Sequence, residues 1–272
     1  MYKNCHILYT SVVGSHAWSM QHKDSDWDYA TIYQAPSDDI LLGHNYTKGS
    51  NRSGEFEDGV PWDLTFMELG RHMHLLSNGN ISQFITLLGP PIRYRIGQGI
   101  SDEPDKPWRE FIDTITPTTQ YRLRKMVMKY PAKNIFHSIN GMTTANLRKY
   151  FEKGKRLHVD MGPDISLTED GWWTLRGKKL AQIERLVQFG FRVLTEQKYE
   201  LKACKLGDGS LQDEQRVRQW QKDLIHAYNA SDLPERPDQE AYDNFLLDMR
   251  MDSIIDDHDD ELRERYNEPP EY

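Results

Sequence analysis

The sequence predicts an α+β protein: a small mixed-sheet domain over residues 1–115, a helical domain over 116–255, and an acidic tail over 256–272. Two observations carry this division. In the first part, short β-rich apolar runs are interleaved with turn formers and short helical stretches, the order expected of a mixed α/β unit. From Thr116 onward, apolar residues recur at three- and four-residue steps within long stretches of helix formers. A chain of 272 residues has ample material for one large core or two modest ones.

Taken in order, Ile7-Leu8-Tyr9-Thr10-Ser11-Val12-Val13 reads as a short buried strand. Gly14 permits a tight turn with a close backbone approach, and Ser15 is placed to cap a following helix. Residues Tyr29 to Tyr33 have the composition of a second strand. Ser37 to Leu42 starts a short connection or helix that Gly43 closes. The polar run from Tyr46 to Asp58, flanked and punctuated by Gly49, Gly54 and Gly59, suits a hairpin or loop. Val60–Met67 is the next strand, and Met67–Leu76 and Gln83–Leu88 read as helices, the second ended by Gly89-Pro90-Pro91. Beyond Thr116, helices are expected at Thr118–Tyr130, Ala132–Lys155, Gly177–Tyr199, Gln212–Tyr228 and Gln239–Ile255. In the third, Leu180, Ile183, Leu186, Val187, Phe191 and Leu194 mark one apolar face, while Trp172-Trp173 just before it suits a packed turn.

Chemistry concentrates near the amino terminus. Amides at the helix start after Gly14 attract phosphate, and the Ser15 hydroxyl stands beside them. Asp26 and Asp28 lie two apart, so on a strand they share a face. Two carboxylates on one face repel unless a cation sits between them, and Mg²⁺ is the usual one. A phosphate cradle followed by a metal-binding carboxylate pair is the arrangement of a nucleotidyl-transfer site.

The pattern Gly14-Ser15, then Asp26-Trp27-Asp28, resembles the signature of the DNA polymerase β-type nucleotidyltransferase superfamily. The segment from Glu68 through Arg71-His72-Met73-His74 to Gly79-Asn80 is similar to the helix and Gly-Asn turn of a stand-alone bacterial and phage branch, the nucleotidyltransferases associated with RNA repair. The resemblance implies that Gly14 and Ser15 hold a triphosphate and that Asp26 and Asp28 hold catalytic magnesium. A third carboxylate on a later strand completes such a site. Asp63, an isolated acid between apolar neighbours, is the expected one, with Glu68 its rival and Glu55, Glu57 and Asp58 more distant.

On this resemblance, two Mg²⁺ ions, with Mn²⁺ as the alternative, would be held by Asp26, Asp28 and Asp63. A hydroxyl would attack the α-phosphorus of a nucleoside triphosphate such as ATP, and pyrophosphate would leave. Asp63 is also a candidate acceptor for the hydroxyl proton, and His16 either touches a phosphate or is only packed beside the turn. Family members carry a basic helix with a His-x-x-Arg-like element farther along, which implies nucleotide-binding roles for Lys178, Lys179 and Arg185. Here the element reads Gln182-Ile183-Glu184-Arg185, with the histidine replaced, and the bland reading of Lys178, Lys179, Arg185 and Arg192 is a solvated basic face. The acceptor implied is an RNA 3′ end, tRNA or damaged tRNA foremost. A protein hydroxyl, a small molecule, or a relative that binds nucleotide or RNA without turnover are the alternatives.

A second basic stretch, Arg122, Arg124, Lys125, Lys129 and Lys133 with Tyr121 and Tyr130 between them, suits either an RNA backbone or plain surface. His72 and His74, two apart on a helix, face different ways and make a poor metal pair. The formal charge of −8 is unevenly spread. Residues 235–272 hold 14 acids and 4 basic residues, a net −10, which leaves 30 basic and 28 acidic residues before them. That end reads as a solvated tail rather than a nucleic-acid mimic. Its run Asp256-Asp257-His258-Asp259-Asp260 lacks the glycine turn of a calcium loop. Cys5 and Cys204 have no metal-ligand spacing. No membrane helix or signal peptide is expected, which points to the cytoplasm, and no Walker loop, GxSxG, HExxH or GxGxxG is present.

Overall fold

The structure, a computed structural model, describes residues 5–21, 25–42, 50–56, 58–92, 118–160, 169–204 and 211–252, without the side chains of 37, 38, 148–160, 169–179, 211 and 213. The expected acidic tail lies outside the described residues. The fold is α+β. Five strands, β1 (His6–Val12), β2 (Trp27–Gln34), β3 (Ser50–Glu55), β4 (Pro61–Glu68) and β5 (Pro91–Ile92), form one sheet in the order β3-β4-β2-β1-β5. The sheet is mixed: β2 and β4 run parallel, and the other neighbouring pairs run antiparallel. Short helices α1 (Gly14–Ala17), α2 (Ser37–Leu41), α3 (Leu69–Ser77) and α4 (Ile81–Leu88) fall between the strands. Then come α5 (Thr118–Lys129), α6 (Ile135–Asp160), α7 (Glu169–Glu196), α8 (Leu211–Ala230) and a last helix, α9, over 239–252.

Strands β1 and β2 read as near-continuous apolar runs because both sheet faces are covered. On one face Val12, Tyr29, Tyr33, Leu64, Phe66 and Ile92 form a core of their own. On the other, Tyr9 and Ile32 join Leu69 and Met73 of α3, Leu123 of α5, Ile139 of α6, Val187 and Phe189 of α7, Leu224 of α8 and Tyr242 of α9. One apolar core therefore runs from the sheet to the last helix.

Two sets of buried polar groups on the helix side are joined by hydrogen bonds. Tyr9 Oη lies 2.8 Å from His72 Nε2, and His72 Nδ1 lies 2.7 Å from Gln83 Oε1. Burial pushes the His72 pKa down to about 4, so the ring is neutral, with Nδ1–H donating to Gln83 and Nε2 accepting from Tyr9. Gln120 Nε2 of α5 donates to Ser11 Oγ on β1 (3.0 Å) and to the carbonyls of Leu87 (2.9 Å) and Gly89 (3.1 Å) at the end of α4.

The bounds of several elements differ from the sequence reading, α4, α7 and β5 among them. Helix α4 starts at Ile81, because the Asn80 side chain caps it by accepting from Ser82 N at 3.0 Å. Helix α7 starts at Glu169, so Trp172 and Trp173 lie on a helix rather than in a turn. The two-residue strand β5, beginning with proline, carries too short a pattern to be read. Among the described residues no helix is long and apolar enough to cross a membrane.

Candidate active site

The parallel register of β2 and β4 sets Asp28 beside Asp63. Asp26, two residues before Asp28, projects from the same face. One carboxylate oxygen from each of Asp26, Asp28 and Asp63 comes within 4.8 Å of the others. Asp26 and Asp63 are exposed and Asp28 is half-buried. At that spacing each like-charged pair costs on the order of 1–3 kcal/mol between water-like and surface dielectrics, a repulsion that a divalent cation reverses. The set is all oxygen, with no histidine or cysteine, which suits a hard cation such as Mg²⁺ or Mn²⁺.

The Gly14 turn is pressed onto this cluster. Val13 N donates to the Asp28 carbonyl at 2.8 Å, tying the end of β1 to β2. Gly14 has φ +61, and a Cβ built there would fall 1.8 Å from Asp28 Oδ2. Only glycine satisfies both demands. Ser15 does not cap the following helix as expected. Val13 holds the cap position, no side chain caps the turn, and Ser15 lies inside α1. Its hydroxyl is buried and has no hydrogen-bond partner among the described residues, so it is available to a ligand at the turn. His16 stacks on Trp27 beside the turn, at 3.7 Å between ring centroids.

Helix α7 brings a cation to the same place. The Arg185 guanidinium lies 5.2 Å above the Trp18 ring, and Trp18 in turn meets Phe189 edge-on at 6.0 Å. Burial pulls Arg185 below the usual arginine range, while Cys204 and Asp28 act in the opposite sense, so Arg185 and Asp28 feel each other's charge. Arg185 Nε is buried without a hydrogen-bond partner among the described residues. Its neighbour Glu184 has a different job, holding Arg216 at 3.0 Å and accepting from Gln188. Lys178 and Lys179 lie on the same helix, with side chains outside the described residues. Arg192, seven residues past Arg185, turns away to donate to the Glu200 carbonyl at 3.3 Å.

Glu68, the rival third carboxylate, is structural. It accepts from Gly70 N (2.6 Å) and Arg71 N (3.3 Å) as the cap of α3, and it pairs with Arg250 of α9. His72 is buried in the core and His74 is exposed beside Asn78, so the two make no metal pair. Sequence reasoning missed Trp18, which no motif marks and whose role appears only when α7 is packed against α1.

Residues 2–103 match the family model RlaP, RNA repair pathway DNA polymerase beta family. The RlaP match contains Gly14, Ser15, Asp26, Asp28 and Asp63 and ends before α5, so Arg185 and the long helices lie outside it. It agrees with the resemblance carried by Gly14-Ser15 and Asp26-Trp27-Asp28. No curated protein matches the chain.

Proposed function

We propose that this chain is a metal-dependent nucleotidyltransferase that moves a nucleoside monophosphate from a nucleoside triphosphate to a hydroxyl acceptor and releases pyrophosphate. The acceptor is an RNA 3′ end, with tRNA the favoured case. The observation that carries the chemistry is the meeting of Asp26, Asp28 and Asp63 oxygens within 4.8 Å, against the Gly14 turn. The RNA acceptor is supported by the RNA-repair description of the matching family.

The residues fit the cation the reaction needs. Asp26, Asp28 and Asp63 would hold divalent ions, which when bound neutralise phosphate charge and lower the pKa of the attacking hydroxyl. Gly14 keeps the Asp28 carboxylate in place and lets phosphate approach the backbone. The Ser15 hydroxyl donates to a phosphate oxygen of the triphosphate, and Arg185, with Lys178 and Lys179 on its helix, supplies positive charge to the leaving pyrophosphate. Asp63, exposed beside the incoming hydroxyl, accepts its proton as the new O–P bond forms and the bond to pyrophosphate breaks. The sheet thus carries the metal ligands and the helical part closes over nucleotide and acceptor, fixing their in-line geometry.

The test is a denaturing gel. Purified protein, Mg²⁺, each α-labelled nucleoside triphosphate in turn and total tRNA with intact or trimmed 3′ ends are incubated, with Asp26→Ala/Asp28→Ala alongside. Label on RNA with wild type alone supports the reading and gives the preferred base. Label that appears on the protein itself or on a small molecule, with none on RNA, overturns the RNA acceptor.

A further inference from the structure

Between Asp113 and Glu152 the sequence contains no acid and seven basic residues, in a chain whose net charge is −8. Helix α5 lies inside this stretch, and the structure sorts its cations into two groups. Arg124 is taken up by the end of α4, donating to the Leu87 carbonyl at 2.8 Å and the Gly89 carbonyl at 3.0 Å. Arg122 pairs with Asp252 at 2.8 Å and lies over Phe245, and Lys133, just past α5, pairs with Glu235 at 3.0 Å. Lys125 and Lys129 remain. Both are exposed, and neither forms an ion pair among the described residues.

These two lysines share their face with aromatic and apolar surface that the core does not use. Tyr121, Lys125, Met128 and Lys129 follow at helical steps on one exposed stripe roughly 12 Å long. Tyr121 is 53% exposed and Met128 45%, whereas Leu123, Met126 and Val127 on the opposite face are buried. The Lys125 ammonium lies 5.6 Å from the Tyr121 ring centre, and Lys129 lies 5.1 Å from that of Tyr130. Two exposed cations without ion-pair partners among the described residues, beside the exposed Tyr121 ring, match a run of phosphates with a stackable base at one end. The stripe also starts in the right place. Gln120, adjacent to Tyr121, is bonded to Ser11, three residues before Gly14 on the strand that ends in the phosphate turn.

We propose that the exposed α5 face of Tyr121, Lys125, Met128 and Lys129 is the surface on which the single-stranded end of the acceptor RNA lies. This rests on the RNA-acceptor reading above and adds to it the residues that hold the acceptor. Lys125 and Lys129 contact two phosphates, and Tyr121 stacks one base.

The test is fluorescence anisotropy with a 5′-labelled single-stranded RNA bearing a free 3′ hydroxyl, over a range of salt concentrations, with the full chain. Replacing both lysines, Lys125→Gln/Lys129→Gln, should flatten the slope of log Kd against log salt by about 1.4, that is ~0.7 for each phosphate no longer neutralised. Tyr121→Leu should weaken binding about tenfold at every salt concentration. Lys222→Gln, an exposed lysine on α8, should change neither. Affinity and slope like wild type in the α5 variants overturn the proposal, as does an equal loss in Lys222→Gln. Wild type that labels RNA while the α5 variants bind normally overturns this surface and leaves the RNA acceptor standing. Wild type that neither binds nor labels RNA overturns both.

Discussion

The α-carbon of Gly14 faces the carboxylate of Asp28 so closely that a side chain there would overlap Oδ2, its Cβ only 1.8 Å away. The phosphate turn and the metal ligand are therefore one unit. Gly14→Ala should strain a left-handed backbone by about 1–2 kcal/mol and push the Asp28 carboxylate off its position. Displacing a reacting group by an ångström costs about 100-fold, so kcat should fall at least that far while the protein remains folded. Steady-state transfer assays and circular dichroism on the same preparation check this. Near-normal kcat in Gly14→Ala would show that the turn does not set Asp28.

Two acids on β4 should behave in opposite ways. Asp63→Asn should abolish metal-dependent transfer and shift urea stability by no more than about 0.5 kcal/mol, since Asp63 is exposed. Glu68→Gln should leave metal affinity intact yet cost about 3 kcal/mol, because it leaves Arg250 without its partner and weakens the α3 cap. Urea unfolding and metal titration of both variants separate the two roles. The reverse pattern would make Glu68 the third ligand.

Acid should weaken the fold through His72. Its folded pKa, about 4, lies below the unfolded value near 6.5, so the unfolded chain binds more protons between these limits. Stability is full above the unfolded value, declines as pH falls below it, and is about 3 kcal/mol lower on this account by pH 4. Urea unfolding across pH 4 to 7 should show this excess slope in wild type and not in His72→Gln. Equal slopes would mean that His72 takes up its proton without cost in the fold.

Arg185 is placed by the Trp18 ring and acts on charge near Asp28. Arg185→Met should raise KM for the nucleoside triphosphate about tenfold or more, the worth of one charge-assisted hydrogen bond. Arg185→Lys should restore little, since an ammonium does not stack on the indole as a planar guanidinium does. Full rescue by lysine in steady-state kinetics would contradict the stacking role.

The candidate site was legible where its signal is local. Gly14, Asp26 and Asp28 stand within one strand-turn-strand segment, and Asp63 stands out as an acid framed by strand residues. Strand and helix types follow from period and composition in the same way, which is why β2, β4 and α5 lie close to where they are expected, while α7 starts eight residues earlier. What the sequence hid is set by packing at long range. The Glu68–Arg250 pair joins residues 182 apart, and Arg216 reaches Glu184 across 32. Nothing near Glu68 distinguishes a helix cap from a metal ligand until α9 is in place. The contact of Arg185 with Trp18 likewise depends on α7 docking against α1. The cap of α1 was misread because Ser15 is a favoured cap residue, while the turn at Gly14 shifts that position to Val13.

The central claim is that Asp26, Asp28 and Asp63 form a divalent-metal centre for nucleotide chemistry. Electron paramagnetic resonance of Mn²⁺, titrated against wild type and Asp28→Ala with and without a non-hydrolysable nucleoside triphosphate, tests it most directly. The account predicts Mn²⁺ binding by wild type that tightens when the nucleotide is added, and loss of both the binding and the tightening in Asp28→Ala. Identical Mn²⁺ titrations for the two proteins, with nucleotide present, would contradict it.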